Sequence, residues 1–125
     1  MRRRILNARS IVTIAVAVVV LHVNVSIAAW TITSPSDGAQ LAKSSDVNCS
    51  GEATNAGVSY TVEIQDKNGV VRGSANGTSV LGLPNSWGTT VTRPIGDWDV
   101  ALNDYKIWLK PAGGGNTSIT VTFVN

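Results

Sequence analysis

The chain is short of the residues on which many small exported folds and most hydrolases depend. Its 125 positions hold one cysteine (Cys49), one histidine (His22) and one phenylalanine, and only 14% are charged. A single cysteine excludes a disulfide within the chain, so a folded domain must be held by packing. A single histidine at position 22 leaves no imidazole in the rest of the sequence, and so no Ser-His or Cys-His pair there. Long segments free of helix breakers are scarce as well. Twelve glycines and prolines at Pro35, Pro84, Pro94 and Pro111 punctuate the chain from residue 35 onward, which favours short strands joined by turns.

What is present begins with one apolar run, residues 11–21. Arg2, Arg3, Arg4 and Arg9 precede it, and Ser26-Ile27-Ala28-Ala29 follows. A basic head, a short apolar middle and a small-residue exit are the requirements of a secretory signal peptide. The expected division is therefore a signal peptide over 1–29 and a single domain over 30–125, secreted or periplasmic. The stretch 11–29 also approaches the ~20 residues of a spanning helix. However, His22, Asn24 and Ser26 interrupt its second half, and each is costly in hydrocarbon. Membrane contact is expected only if this segment is retained. No cysteine lies near the cleavage point to carry a lipid, and Arg2-Arg3-Arg4-Ile5-Leu6 fits a twin-arginine export pattern only loosely.

Cleavage reverses the electrostatics. The whole chain is formally +2, but four of its ten Lys/Arg residues leave with the leader. The remaining six face eight Asp/Glu, a net charge of −2. The basic character thus belongs to the export signal, and nucleic acid is not an expected partner.

Within 30–125 the clearest strand is 59–66, where Tyr60, Val62 and Ile64 alternate with Thr61, Glu63 and Gln65. Lys67-Asn68-Gly69 then predicts a hairpin in which Asn68 and Gly69 both take positive φ, with 70–74 returning. Residues 118–124 alternate Ile119, Val121 and Phe123 with Thr120, Thr122 and Val124, a half-buried strand of high β-propensity. Segments 30–33 and 46–51 read as two more strands around the Ser34-Pro35-Ser36-Asp37-Gly38 turn, and 87–93 as a weaker sixth. Residues 97–110 are ambiguous. Trp98, Ala101, Leu102, Tyr105, Trp108 and Leu109 share one helical face, yet Tyr105, Ile107 and Leu109 also alternate as in a strand. The strand fits its neighbours better, with a single helical turn near 98–102 compatible with both. Residues 112–116 form a flexible hairpin loop.

Six or seven short strands in under a hundred residues predict an all-β, antiparallel two-sheet sandwich. Ile32-Thr33-Ser34-Pro35-Ser36-Asp37-Gly38 and Val47-Asn48-Cys49-Ser50-Gly51-Glu52-Ala53, with Trp87 and Asn103-Asp104-Tyr105-Lys106-Ile107 later, resemble a bacterial immunoglobulin-like domain. The resemblance spans nearly all of 30–125 and rests on spaced positions rather than one diagnostic string. It implies an immunoglobulin-like β-sandwich. In disulfide-bearing relatives a cysteine on the second strand pairs with one two residues beyond a corner tyrosine. Cys49 fits the first slot, Ile107 stands in the second, and Tyr105 matches the corner position, with a core-edge role as the alternative.

Candidate functional residues are few. Cys49 reads as a small buried hydrophobe, or else as the source of an intermolecular disulfide and a homo-oligomer in an oxidising space. Asp97, Asp99 and Asp104 are the densest carboxylate group, without the spacing of a calcium loop. If Tyr105, Ile107 and Leu109 face the core, Trp108 points outward between Lys106 and Lys110, where an indole stacks on a sugar ring or anchors a protein. Its alternative is a place under a loop or against the lysine stems. The last strand, free of charge and proline over 116–125, is expected to accept another strand if it lies at an edge. The expectation is a non-catalytic exported module, without cofactor or metal, binding a protein or glycan. A structural or assembly subunit joined through its C-terminal edge strand is the alternative.

Overall fold

The structure, a computed structural model, describes residues 29–125. Residues 1–28, and with them the leader reading, lie outside the described residues. Seven strands form two sheets: β1 (Ala39–Ala42), β2 (Val47–Glu52), β3 (Ser59–Gln65), β4 (Val71–Thr78), β5 (Ser86–Val91), β6 (Tyr105–Pro111) and β7 (Thr117–Val124). The larger sheet has the order β1-β7-β6-β3-β4, and the smaller pairs β2 with β5. All pairings are antiparallel except β1 with β7. The fold is therefore all-β, as the alternation and turn spacing predict. No helix of the described residues is long and apolar enough to cross a membrane.

Both sheets contribute to one core. Val47 and Cys49 of β2, Trp87 and Val91 of β5, and Tyr60, Val62, Ile64, Ile107, Leu109, Val121 and Phe123 of the larger sheet are buried together. The aromatic residues divide into two groups. Tyr60 lies between Trp30 and Trp87 with centroids 6.1 and 5.3 Å away. At the other end Trp98 stacks on Phe123 at 4.7 Å, and both meet Tyr105 edge-on. Buried indoles need a partner for their N–H, and two of the three find one on the backbone carbonyl of a neighbouring segment. Trp87 Nε1 donates to the Thr31 carbonyl at 2.8 Å, and Trp98 Nε1 to that of Ser45 at 2.9 Å. With these rings filling the interior, the domain coheres without a disulfide.

Several elements differ from the sequence reading. Segment 30–33 is not a regular strand, although Thr31 N and Thr33 N donate to Glu52 and Ser50 of β2. The chain then crosses to the other sheet, and β1, which the alternation of 39–42 is too short to reveal, runs parallel to β7. Its register, Ala39 against Val121 through Ala42 against Val124, covers the outer side of β7. The Gly38 N–H and the Asp37 carboxylate extend that cover to Thr120. The C-terminal strand is therefore not an edge strand over 120–124. The larger sheet ends at β1 and β4 instead.

The β3–β4 hairpin also corrects a local expectation. Gly69 has φ +79°, while Asn68 does not have positive φ. Asp66 N bonds Val70 O and Gly69 N bonds Asp66 O, a loop of three residues rather than two. The Asp66 carboxylate explains the choice, since Oδ1 accepts from the N–H groups of Asn68 and Val70 at 2.8 and 3.2 Å. Its Oδ2 accepts from Arg72 Nε at 2.7 Å. In 97–110 the chain makes one 3₁₀ turn, Val100–Leu102, and then enters β6. Asp99 caps that turn through Ala101 N, and Asp104, at φ +71°, redirects the backbone into the strand.

Candidate binding face

Strand alternation places Tyr105, Ile107 and Leu109 of β6 in the core, so Lys106, Trp108 and Lys110 face outward from the larger sheet. β6 lies centrally, between β3 and β7. The register sets Trp108 opposite Glu63 on one side and Ser118 on the other, with Lys106 between Gln65 and Thr120. Beyond β3, Ser74 and Asn76 of β4 lie against Glu63 and Thr61. The outer face is thus a polar sheet surface with one indole near its centre.

The indole is half-buried, and no described residue accepts a hydrogen bond from its Nε1. That N–H is not enclosed, since no buried side-chain nitrogen or oxygen among the described residues lacks a partner. Trp108 therefore differs from Trp87 and Trp98, whose N–H groups are spent on backbone carbonyls.

Its flanking lysines have separate roles. Lys110 Nζ lies 2.6 Å from Glu63 Oε1, and the same oxygen accepts from Gln65 Nε2 at 3.1 Å. The Lys110 bond above all, with Gln65 adding to it, holds the Glu63 carboxyl below its ordinary value despite the opposing effect of burial. Lys106 makes no such pair with any described residue. It shares a shallow groove of about 180 Å³ with Trp108, Gln65, Asp66, Lys67 and Asp104. The structure therefore brings Trp108 and Lys106 to one groove and fixes Lys110 alongside through Glu63. The outward alternation of Thr61, Glu63 and Gln65 was readable in the sequence. That β3 is the strand beside β6 was not.

The other candidates fall elsewhere. Cys49 is 2% exposed, with Sγ 3.9 Å from the Val47 carbonyl, and burial pushes its thiol up to about 11. In this fold its sulfur is not presented to a second molecule. Asp97 Oδ1 accepts from Arg93 Nη1 at 2.9 Å, and Asp99 Oδ1 from Ala101 N. Among the described residues no three His, Cys, Asp or Glu side chains gather as metal ligands would.

No protein-family model matches the chain, and no curated protein is significantly similar to it.

Proposed function

We propose that residues 30–125 form an exported immunoglobulin-like module that acts without catalysis by surface binding, and that the outer face around Trp108 binds a glycan. The carrying observation is the free indole N–H of Trp108 on a sheet face otherwise made of hydroxyl, amide and charged groups. A sugar presents an apolar C–H face and a rim of hydroxyls. A half-buried indole that faces outward beside Gln65, Lys106 and the Glu63–Lys110 pair complements both.

The immunoglobulin-like reading draws support from strand order. If β2 to β7 are strands B, C, C′, E, F and G, then G, F, C and C′ share one sheet and B and E the other. Tyr105 begins strand F in that scheme, with its hydroxyl bonded to upstream backbone. A non-catalytic role is supported by the absence of histidine beyond His22 and by the inert surroundings of Cys49. The alternative of assembly through the C-terminal strand keeps only residues 117–119 as uncovered edge, which gives glycan binding the stronger case.

Titration of the protein with cell-wall and extracellular polysaccharides should quench tryptophan fluorescence, and Trp108→Ala should abolish the response while leaving the thermal midpoint nearly unchanged. The absence of quenching by every polysaccharide, or its persistence in Trp108→Ala, would refute the reading.

A further inference from the structure

Most strand edges of this domain are closed by the chain itself. On β2, Ser50 exchanges backbone bonds with Ser34, and the Glu52 carbonyl accepts from Thr31 N. On β5, Ser86 exchanges bonds with Val80, and the Gly88 carbonyl accepts from Tyr60 Oη at 2.8 Å. β7 is covered by β1, which is four residues long and is followed by Lys43. The longest open edge among the described residues is that of β4, which runs for eight residues and pairs only with β3.

Two backbone bonds fix which groups of β4 are open. Ser79 N bonds Val58 O, and Ala112 N bonds Ser59 O. Bonding direction alternates along an antiparallel ladder, so Tyr60, Val62 and Ile64 turn their N–H and C=O to β4, and Thr61 and Glu63 to β6. Gly77, Ala75 and Gly73 answer the first set. Ser74, Asn76 and Thr78 therefore direct their backbone groups away from the sheet, and all three residues are exposed. Natural edges are guarded by lysine, proline or a bulge. β4 has no lysine or proline, and its one charge, Arg72, is held by Asp66 at 2.7 Å. The register shift lies at its first end, between Ile64 and Gln65, and leaves 73–78 regular.

The residues that flank this edge name its occupant. Val70 and Val71 stand at one end, 48% and 46% exposed, and Val80 at the other, 61% exposed. A two-fold axis at Ala75 sets Ser74 opposite Asn76 of a second copy, and Arg72 opposite its Thr78, with their open backbone groups facing. The same register brings Val70 toward Val80 of the second copy at both ends, and no like charges meet across it. We infer that β4 pairs antiparallel with β4 of a second copy about this axis, joining two five-stranded sheets into one. A strand of another protein would meet the same open amides, but the match of valine to valine is a property of this chain set against itself. Leu83 and Ile95 are also exposed and lie outside the paired segment. The pairing stands on the fold and not on the glycan reading. Its axis is normal to the sheet, so both Trp108 faces point the same way.

The test expresses the full chain, purifies it in the form the cell leaves it, and follows sedimentation in reductant over a range of concentrations. A monomer–dimer equilibrium is expected. Ser74→Lys with Asn76→Lys opposes like charges across the axis and should weaken the dimer by about tenfold. Ser74→Glu with Asn76→Lys opposes unlike charges in this register and should restore it. Amide exchange reads the edge without any substitution. The Ser74 and Asn76 amides should slow by about tenfold from dilute to concentrated protein, while that of Ala75 stays protected throughout. A monomer at every concentration overturns the pairing and leaves the edge to a strand of another protein. A dimer whose Ser74 and Asn76 amides remain open, and which the lysine pair leaves intact, places the interface elsewhere and overturns it too. A dimer weakened by the lysine pair and not restored by the glutamate–lysine pair overturns the axis at Ala75.

Discussion

The Tyr105 hydroxyl donates to the Asp99 carbonyl across 2.9 Å, and Asp99 in turn caps the 3₁₀ turn through its own carboxylate. One residue thus anchors the tyrosine and closes the turn that delivers the chain into β6. Tyr105 is fully buried, and burial is the main reason its hydroxyl titrates above the ordinary value. Tyr105→Phe should keep the ring packing but remove one of the two donors to the Asp99 carbonyl, which retains the Leu102 N–H. The expected loss is about 0.5–1.5 kcal/mol by urea denaturation, with the slope unchanged. No measurable loss would mean the bond is replaced by water.

Acid should weaken the domain through Asp66 and Glu63. For Asp66, burial raises the pKa, but Arg72 and the Val70 and Asn68 N–H groups outweigh it and hold it below the ordinary carboxylate value. A carboxylate depressed in the folded state stabilises above its unfolded pKa, and that contribution is lost as pH falls through the folded value. Thermal midpoints should therefore be level above about pH 5 and fall below about pH 4. Asp66→Asn should lower the midpoint at pH 7 and flatten part of this acid slope. An unchanged slope in Asp66→Asn would assign acid sensitivity elsewhere.

Cys49 should be chemically silent in the folded protein. A thiol raised to about 11 by burial is almost wholly protonated at neutral pH and sterically closed. Ellman's reagent should react on the timescale of unfolding, and at once in urea. Rapid reaction in buffer alone would show that β2 opens readily.

The immunoglobulin-like reading makes a separate demand on the same cysteine. Ile107→Cys should form a bridge to Cys49 under oxidising conditions, visible as a non-reducing gel shift, a mass loss of two hydrogens and the disappearance of both free thiols. The crosslink should add about 2–4 kcal/mol. Free thiols at both positions after oxidation would place β2 and β6 differently from that scheme.

Gly73 brings β4 close to the core. A Cβ there would lie 2.9 Å from both Trp98 Cη2 and Val91 Cγ1. Gly73→Ala should therefore destabilise by about 1–3 kcal/mol through overpacking, although alanine is otherwise the better strand residue. A neutral result would show that the edge strand shifts outward at little cost.

Much of this fold was legible before its structure. Period-two alternation marks β3, β6 and β7 because each has one buried face, and the scarcity of cysteine points to a packed core. β1 was hidden because four residues show no period, and because its pairing with β7 is parallel and distant in sequence. The two-residue turn at Asn68-Gly69 was the wrong hairpin because the neighbouring Asp66 carboxylate stabilises a three-residue loop instead.

The sequence by itself determined the all-β class, the inward set Tyr105, Ile107 and Leu109, and hence the outward direction of Trp108. These follow from local periodicity, which a chain carries in itself. Tertiary structure alone decided that Glu63 sits across from Trp108 and pairs with Lys110. It also decided that β1 covers the C-terminal strand and that β4 keeps an open edge. Each of those facts depends on which strands become neighbours, and neighbours are chosen by burial of the whole core rather than by any segment's own pattern.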